Sequence, residues 1–212
     1  MVTDEPKRIE DIIPEINTDY NYELNIPEEY FYYAKKLLGI IGRPLIITNA
    51  SWRSVDKDQV SNTWSVKHYI DTAKLMYEHY NVPTVLIGTA DEVEIAKEIC
   101  SNNSYFINCV NSLSIGYILG LLIFSDLVWG FQGGIGMLAD RFQVPIIMLW
   151  PIKEFTKAKY NAPNNFINGW VRPESIKSKR YVPLILGKDA TPDNIFNESK
   201  RLINGMEQRR LH

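Results

Sequence analysis

The chain has 212 residues, a length that fits one domain with an additional arm. Hydrophobic residues make up 45% of it and charged residues 23%, a balance that excludes a wholly disordered chain. The formal net charge of -2 provides no strong field for nucleic acid or for an anionic membrane, so we expect neither as a partner.

The start of the chain is acidic. Residues 1–30 contain nine acidic and two basic residues, whereas the rest of the chain carries a net positive charge. We therefore expect residues 1–24 to form a solvated acidic arm or linker, and residues 25–212 to form the domain. The arm lacks the apolar segment of a secretion signal. The longest apolar stretch, residues 115–128, is interrupted by Asp126 and is too short to span a bilayer.

Two cysteines, Cys100 and Cys109, have neither metal-site nor redox-motif spacing. Both are expected to be buried free thiols, which are typical of proteins in a reducing compartment. Together with the absence of a signal segment and of a membrane-spanning stretch, they predict a cytoplasmic location.

Apolar runs alternate with helical patterns along the chain. Short apolar strands are predicted at residues 45–48, 84–88, 105–109, 126–130 and 144–150. Helices are predicted at residues 27–38, 66–80, 92–100, 112–124, 135–142 and 191–206, the fourth starting at either Ser112 or Ser114. Residues 151–180 are predicted to be irregular. Strands that are apolar throughout are typical of a parallel sheet covered on both faces. The sequence therefore predicts an α/β fold with a doubly wound, Rossmann-like, mostly parallel sheet of five to six strands.

In such a sheet ligands bind beyond the carboxyl ends of the strands, and a glycine-rich turn follows the fourth of them. Residues 130–136 read Gly-Phe-Gln-Gly-Gly-Ile-Gly and join a strand to a helix. Backbone amides at such a helix start suit a phosphate or pyrophosphate. The turn lacks the dinucleotide fingerprint, and spacing alone equally allows a tight turn with close helix–strand packing.

Two other loops at the same edge carry polar side chains. Residues 48–53 end in Arg53, which could add charge-assisted hydrogen bonds to a phosphate, although the loop by itself is more typical of an ordinary polar connection. In the loop after the second strand, Asp91 is expected to cap the next helix. Glu92 could accept hydrogen bonds from ligand hydroxyls, or serve structurally in the first helical turn.

The order of these motifs resembles the C-terminal, donor-binding domain of glycosyltransferase family 9, the heptosyltransferase-like enzymes. The matching segments are residues 43–51 (Arg-Pro-Leu-Ile-Ile-Thr-Asn-Ala-Ser), 64–65, 84–94, 111–114, 126–136, 138–139 and 144–151. They occur in the family's order over residues 25–205. The resemblance implies one half of a GT-B enzyme, in which two Rossmann-like domains face each other across a cleft. It also implies that the acceptor domain, with its catalytic base, is missing from this chain.

The resemblance assigns donor contacts residue by residue. Ser51 would contact the donor phosphates, Glu92 would face the ribose or base, and Gly133 and Gly134 would give amides to the pyrophosphate or sugar. The complete set of expected donor-binding residues is Ser51, Arg53, Glu92, Gln132, Gly133, Gly134 and Gly136. The family's Asp-Ser-Gly-x-x-His reads Gln132 to Met137 here, so the acid and the histidine are both replaced.

The favoured hypothesis is therefore a glycosyltransferase-like protein that binds a nucleotide-sugar, with ADP-sugars favoured, and that is incomplete for catalysis alone. No catalytic residue, metal or separate cofactor is assigned. An acceptor-domain partner chain or a homo-oligomer is the expected assembly. A degenerate binding or assembly module is the first alternative. Another Rossmann-like enzyme, such as a nucleotide-sugar epimerase or a dehydrogenase, is the second.

Overall fold

The computed structural model describes residues 26–50, 64–131, 133–150 and 181–210. The arm at residues 1–24, the stretch 151–180, and three expected donor contacts, Ser51, Arg53 and Gln132, lie outside the described residues.

Six strands form one sheet in the order β3-β2-β1-β4-β5-β6. The strands are β1 Ile46–Asn49, β2 Thr84–Ile87, β3 Phe106–Asn108, β4 Leu127–Phe131, β5 Ile146–Trp150 and β6 Tyr181–Ile185. Each of the five pairings between neighbouring strands is parallel. Strands β2 and β3 lie on one side of β1, and strands β4, β5 and β6 lie on its other side. This confirms the predicted doubly wound sheet and places the point where strand order reverses between β1 and β4.

Among the residues that the structure describes, six helices and one short 3-10 turn accompany the strands. The helices are α1 Glu28–Ile41, α2 Val66–Tyr80, α3 Val93–Cys100, α4 Ile115–Phe124, α5 Gly134–Arg141 and α6 Pro192–Arg210, and the 3-10 turn is Ala90–Glu92. Helices α2, α3 and α6 cover one face of the sheet around the buried Tyr69, Ile99 and Ile195. Helices α1, α4 and α5 cover the other face around Ala34, Leu121 and Ala139. Because both faces are covered, strands β1, β2, β4 and β5 are buried along their whole length.

The sequence analysis gave residue ranges for five strands and none for the sixth, β6. Its sequence, Tyr-Val-Pro-Leu-Ile, has a proline in the middle, and proline cannot donate a hydrogen bond to a sheet. A proline is tolerated here because β6 lies at the edge of the sheet. Pro183 pairs with Met148 of β5 and is exposed.

The amino-terminal edge of the sheet is fixed by a buried carboxylate. Asp126, which precedes β4, is 3% exposed and accepts hydrogen bonds from Arg43 Nη1 at 2.6 and 2.8 Å and from the Leu45 amide at 2.8 Å. These bonds tie the start of β4 to the start of β1 at the edge opposite the glycine-rich turn.

In the described parts of the chain, no helix is long and apolar enough to cross a membrane.

Candidate functional site

The carboxyl ends of β1 and β4 lie at the point where the strand order reverses. Their register runs from Ile46 opposite Leu127 to Thr48 opposite Trp129, so Asn49 and Gly130 follow directly after the last pair. Beyond that point β1 stays with β2, because the Ala50 amide donates to the Ile87 carbonyl at 2.9 Å. In doubly wound sheets, ligands bind outside the carboxyl ends of the strands at such a reversal point.

The glycines of the turn after β4 have different structural roles. A Cβ built on Gly133 or Gly134 meets no described atom within 4 Å, whereas one built on Gly136 would lie 2.4 Å from Met148 Cε. Gly136 therefore allows α5 to pack closely on β5, and Gly133 and Gly134 border open space. The close-packing interpretation left open by the sequence thus applies to Gly136, and phosphate binding by Gly133 and Gly134 stays a prediction.

Helix α5 begins in this turn without a side-chain cap. Its N-cap is Gly133, an extended residue, and its first helical hydrogen bond runs from the Met137 amide to the Gly133 carbonyl at 3.3 Å. The amides of Gly134, Ile135 and Gly136 precede that bond, so the helix itself offers them no acceptor. With the partial positive charge of a helix start, they form an arrangement that suits an anion. We call the amides of residues 134–136 the α5 cradle.

The carboxamide of Asn49 fills the space beneath this turn. Asn49 is 6% exposed, and its Nδ2 donates to the Phe131 carbonyl at 3.4 Å. A Cβ built on Gly130 would lie 2.0 Å from Asn49 Oδ1, and Gly130 has a φ of +144°. Only glycine fits both this backbone conformation and this close approach.

An aromatic group supports Asn49 from the α2 side of the sheet. The Tyr69 hydroxyl donates to the Asn49 carbonyl at 3.1 Å, and the Tyr69 ring packs on Trp64 and Trp129 at centroid distances of 6.0 and 5.7 Å. Burial raises the pKa of the Tyr69 phenol, the neighbouring Trp64 indole lowers it in part, and the nearby negative charge of Glu92 raises it further. The phenol is therefore a neutral, fixed donor near neutral pH.

Glu92 lies at the neighbouring strand end, largely inside the protein. It is 4% exposed, and its Oε2 accepts hydrogen bonds from the Thr89 amide at 2.7 Å and from the Thr89 hydroxyl. The expected cap at Asp91 is wrong, because the turn Ala90–Glu92 has Thr89 as its N-cap, with Glu92 bonding back to it. One carboxylate oxygen of Glu92 is thus engaged structurally, and its contact with a ribose stays a prediction.

Asn49 and Tyr69 are the site residues that the sequence did not single out. Asn49 lies in the polar loop at residues 48–53, and Tyr69 lies within the helix predicted at residues 66–80. Their roles depend on β1 lying beside β4 and on α2 crossing beneath both, and no local pattern encodes either arrangement. In the described parts of the chain, no group of three or more His, Cys, Asp and Glu residues could hold a metal ion.

Solved structures with the same fold include sugar-nucleotide enzymes. E. coli ADP-heptose lps heptosyltransferase II matches 87% of this chain with 16% identity and a TM-score of 0.63. The glycosyl transferase family 9 protein from Veillonella parvula DSM 2008 matches 86% with 12% identity and a TM-score of 0.60. In both cases the match covers 54% of the solved chain, so this chain spans about half the length of the proteins it resembles. This chain has the fold of one half of a GT-B protein.

The GT-B half is not confined to glycosyltransferases. Methanocaldococcus jannaschii UDP-GlcNAc 2-epimerase, in complex with UDP-GlcNAc and UDP, matches 84% of this chain and 42% of its own, with 14% identity and a TM-score of 0.56. No protein-family model matches the sequence, and no curated protein matches it. The likeness to this GT-B half is therefore one of fold.

Proposed function

We propose that this chain is a glycosyltransferase-like domain that binds a nucleotide-sugar through its diphosphate. The observation that carries the proposal is the uncapped start of α5, which lies at the carboxyl edge beside the reversal point of a parallel sheet. A side chain built on Gly133 or Gly134 would meet none of the described atoms within 4 Å of its Cβ. Diphosphate oxygens accept hydrogen bonds from amides in this geometry and are favoured by the helix dipole.

The identity of the nucleotide is a finer part of the proposal. The sequence resemblance to heptosyltransferase-like enzymes favours an ADP-sugar, and the name of the similar E. coli enzyme includes ADP-heptose. The similar epimerase was solved with UDP-GlcNAc and UDP, so the fold is compatible with either base. Binding of ADP, UDP, GDP and CDP and of their sugar derivatives, measured by calorimetry, decides between them.

Catalysis by this chain alone is not part of the proposal. Inverting transfer requires a base beside the acceptor hydroxyl. At the end of β2, the carboxylate of Glu92 is buried and bonded to Thr89. We therefore expect donor binding without sugar transfer unless an acceptor-binding domain or partner chain is added.

A pair of substitutions at Gly134 tests the cradle directly. Gly134 is the first residue of α5, a position where proline keeps the helix but removes one amide donor. Gly133 before it is extended, as a residue preceding proline should be. Gly134→Ala adds a Cβ at the same place and keeps the donor, so the ratio of the two dissociation constants isolates the amide.

Loss of one charge-assisted hydrogen bond costs about 1.5–3 kcal/mol, so Gly134→Pro is expected to bind a nucleoside diphosphate about 10- to 100-fold more weakly than Gly134→Ala. Equal affinities of the two variants would contradict the proposed cradle. No binding of any nucleotide to the unmodified chain at millimolar concentration would contradict the proposed function as a whole.

An assembly module without donor chemistry is the second candidate, and exposed apolar side chains favour it. Ile115 and Met137, in the first turns of α4 and α5, are 61% and 40% exposed. Both helices start at the carboxyl edge of the sheet, and exposed apolar surface there is typical of an interaction site. Sedimentation of the chain with and without Met137→Lys distinguishes the two candidates. The assembly module is supported if the unmodified chain self-associates, Met137→Lys abolishes that association, and the unmodified chain binds no nucleotide.

A further inference from the structure

The carboxamide of Asn49 joins the ends of two strands that no longer pair. It follows the last register pair of β1 and β4, is almost fully buried, and contacts β4 at two places. Its Nδ2 donates to the Phe131 carbonyl, and its Oδ1 occupies the space that a side chain on Gly130 would fill. A shape match and a hydrogen bond together fix the direction in which the chain leaves β4.

That direction determines where the α5 cradle lies. Two residues lie between Phe131 and Gly134, the first residue of α5, and one of them, Gly133, is extended. A Cβ built on Gly133 or Gly134 would meet no described atom within 4 Å. The described contacts that constrain this turn are therefore those at its two ends. Asn49 holds one end, and the packing of Gly136 on Met148 holds the other.

Hydrogen bonds to β2 and from α2 hold the backbone at Asn49 in place. The Ala50 amide bonds to the Ile87 carbonyl, and the Tyr69 hydroxyl bonds to the Asn49 carbonyl at 3.1 Å. The backbone of Asn49 is thus fixed on both sides, and the carboxamide can transmit that rigidity to the turn. A fixed cradle binds an anion more tightly than a mobile one, because less ordering entropy is lost on binding.

We infer that Asn49 is a positioning residue, whose buried carboxamide holds the turn after β4 so that the α5 cradle is preorganised for the diphosphate of a nucleotide. The inference rests on the proposed function. Asn49 does not touch the diphosphate; it acts through its contacts with Gly130 and Phe131, which precede the α5 cradle in the chain.

The test compares Asn49→Ala with a remote control that loses a similar hydrogen bond. Ser199 in α6 is fully buried and donates to the Phe196 carbonyl at 2.7 Å, so Ser199→Ala removes one buried side-chain bond on the opposite face of the sheet from α5. Asn49→Ser is a milder second variant in case Asn49→Ala does not fold. Each protein is titrated with ADP, UDP and inorganic pyrophosphate.

Preorganisation predicts that Asn49→Ala binds inorganic pyrophosphate and the nucleoside diphosphate about 10-fold more weakly, by the same factor for both, while Ser199→Ala binds as the unmodified chain does. In the ligand-free state, the amide resonances of Gly133 and Gly134 are expected to shift and their hydrogen exchange to accelerate in Asn49→Ala but not in Ser199→Ala. A purely structural role would not change the turn amides selectively.

The outcomes separate the two proposals. If the unmodified chain binds a nucleoside diphosphate and Asn49→Ala and Asn49→Ser bind it equally well with an unchanged turn, the positioning role is overturned and the proposed function stands. If Ser199→Ala loses as much affinity as Asn49→Ala, general destabilisation explains the loss and the inference is likewise overturned. If the unmodified chain binds none of the three probes, the proposed function fails and the positioning role fails with it.

Discussion

The contact between Gly130 and Asn49 gives a quantitative prediction for Gly130→Ala. The new methyl group would lie 2.0 Å from Asn49 Oδ1, and Gly130 has a φ of +144°, a conformation that alanine rarely adopts. The strained backbone costs about 1–3 kcal/mol. Overpacking at a buried site costs about 1–3 kcal/mol more. We therefore expect Gly130→Ala to lower the free energy of unfolding by about 2–6 kcal/mol.

A double-mutant cycle separates these two causes. Asn49→Ala alone loses its bond to the Phe131 carbonyl and should cost about 1–3 kcal/mol. In Asn49→Ala/Gly130→Ala the overlap with Oδ1 is gone, but the backbone strain remains. The double variant should therefore be about 1–3 kcal/mol more stable than the sum of the single effects predicts.

Urea unfolding followed by circular dichroism measures all four proteins, and equal slopes against urea show that the unfolding reactions are comparable. Gly136→Ala is the matched control from the same turn. Its methyl group would lie 2.4 Å from Met148 Cε, the mobile end of a flexible side chain, so it should cost less than Gly130→Ala. Strict additivity of the two substitutions in the cycle would refute the claim that Asn49 and Gly130 fit each other.

Two further predictions concern stability. Asp126→Ala should lower the free energy of unfolding, measured in urea, by about 3–5 kcal/mol. Arg43→Ala should lower it less, because Arg43 is partly exposed and the Leu45 amide still donates to the Asp126 carboxylate. Equal losses for the two variants would contradict this. Stability should also fall as the pH rises above about 9, because burial raises the pKa of Cys100 to about 11 in the folded chain, and more steeply above pH 10, because the pKa of Tyr69 is raised too. In both cases the unfolded chain releases the proton first, so the stability present below the unfolded pKa is lost on the alkaline side. Tyr69→Phe should make the fall above pH 10 shallower, and an unchanged slope in unfolding experiments from pH 7 to 11 would argue against a buried phenol.

Much of the fold could be predicted from the sequence because it depends on local patterns. The helix at residues 66–80 was predicted with its observed bounds, since Trp64 and Ser65 open it and Asn81 ends it in a left-handed conformation. The five strands placed from apolar runs were located to within about two residues, as expected for runs buried on both faces. Strand β6 was not placed, because its proline is tolerated only at a sheet edge and the strand order is not a local property.

The candidate site was predictable only in part. The glycine-rich turn predicted where α5 starts, because glycines at a strand–helix junction indicate a tight turn or a close approach of the backbone. The buried carboxamide of Asn49 could not be recognised, since its partners lie about 80 residues away and are brought near it only by the reversal of strand order. Glu92 had two interpretations in the sequence, and the structure shows the bond to Thr89 that only a folded turn creates.

The central claim is that the amides at the start of α5 receive the diphosphate of a nucleotide. The most direct measurement is a titration of isotope-labelled protein with ADP and UDP, followed by the amide resonances of the whole chain. The account predicts that the largest shifts occur at Gly133, Gly134 and the two residues after them. Shifts centred on the opposite edge of the sheet, around Arg43 and Asp126, or no shifts at millimolar nucleotide, would contradict it.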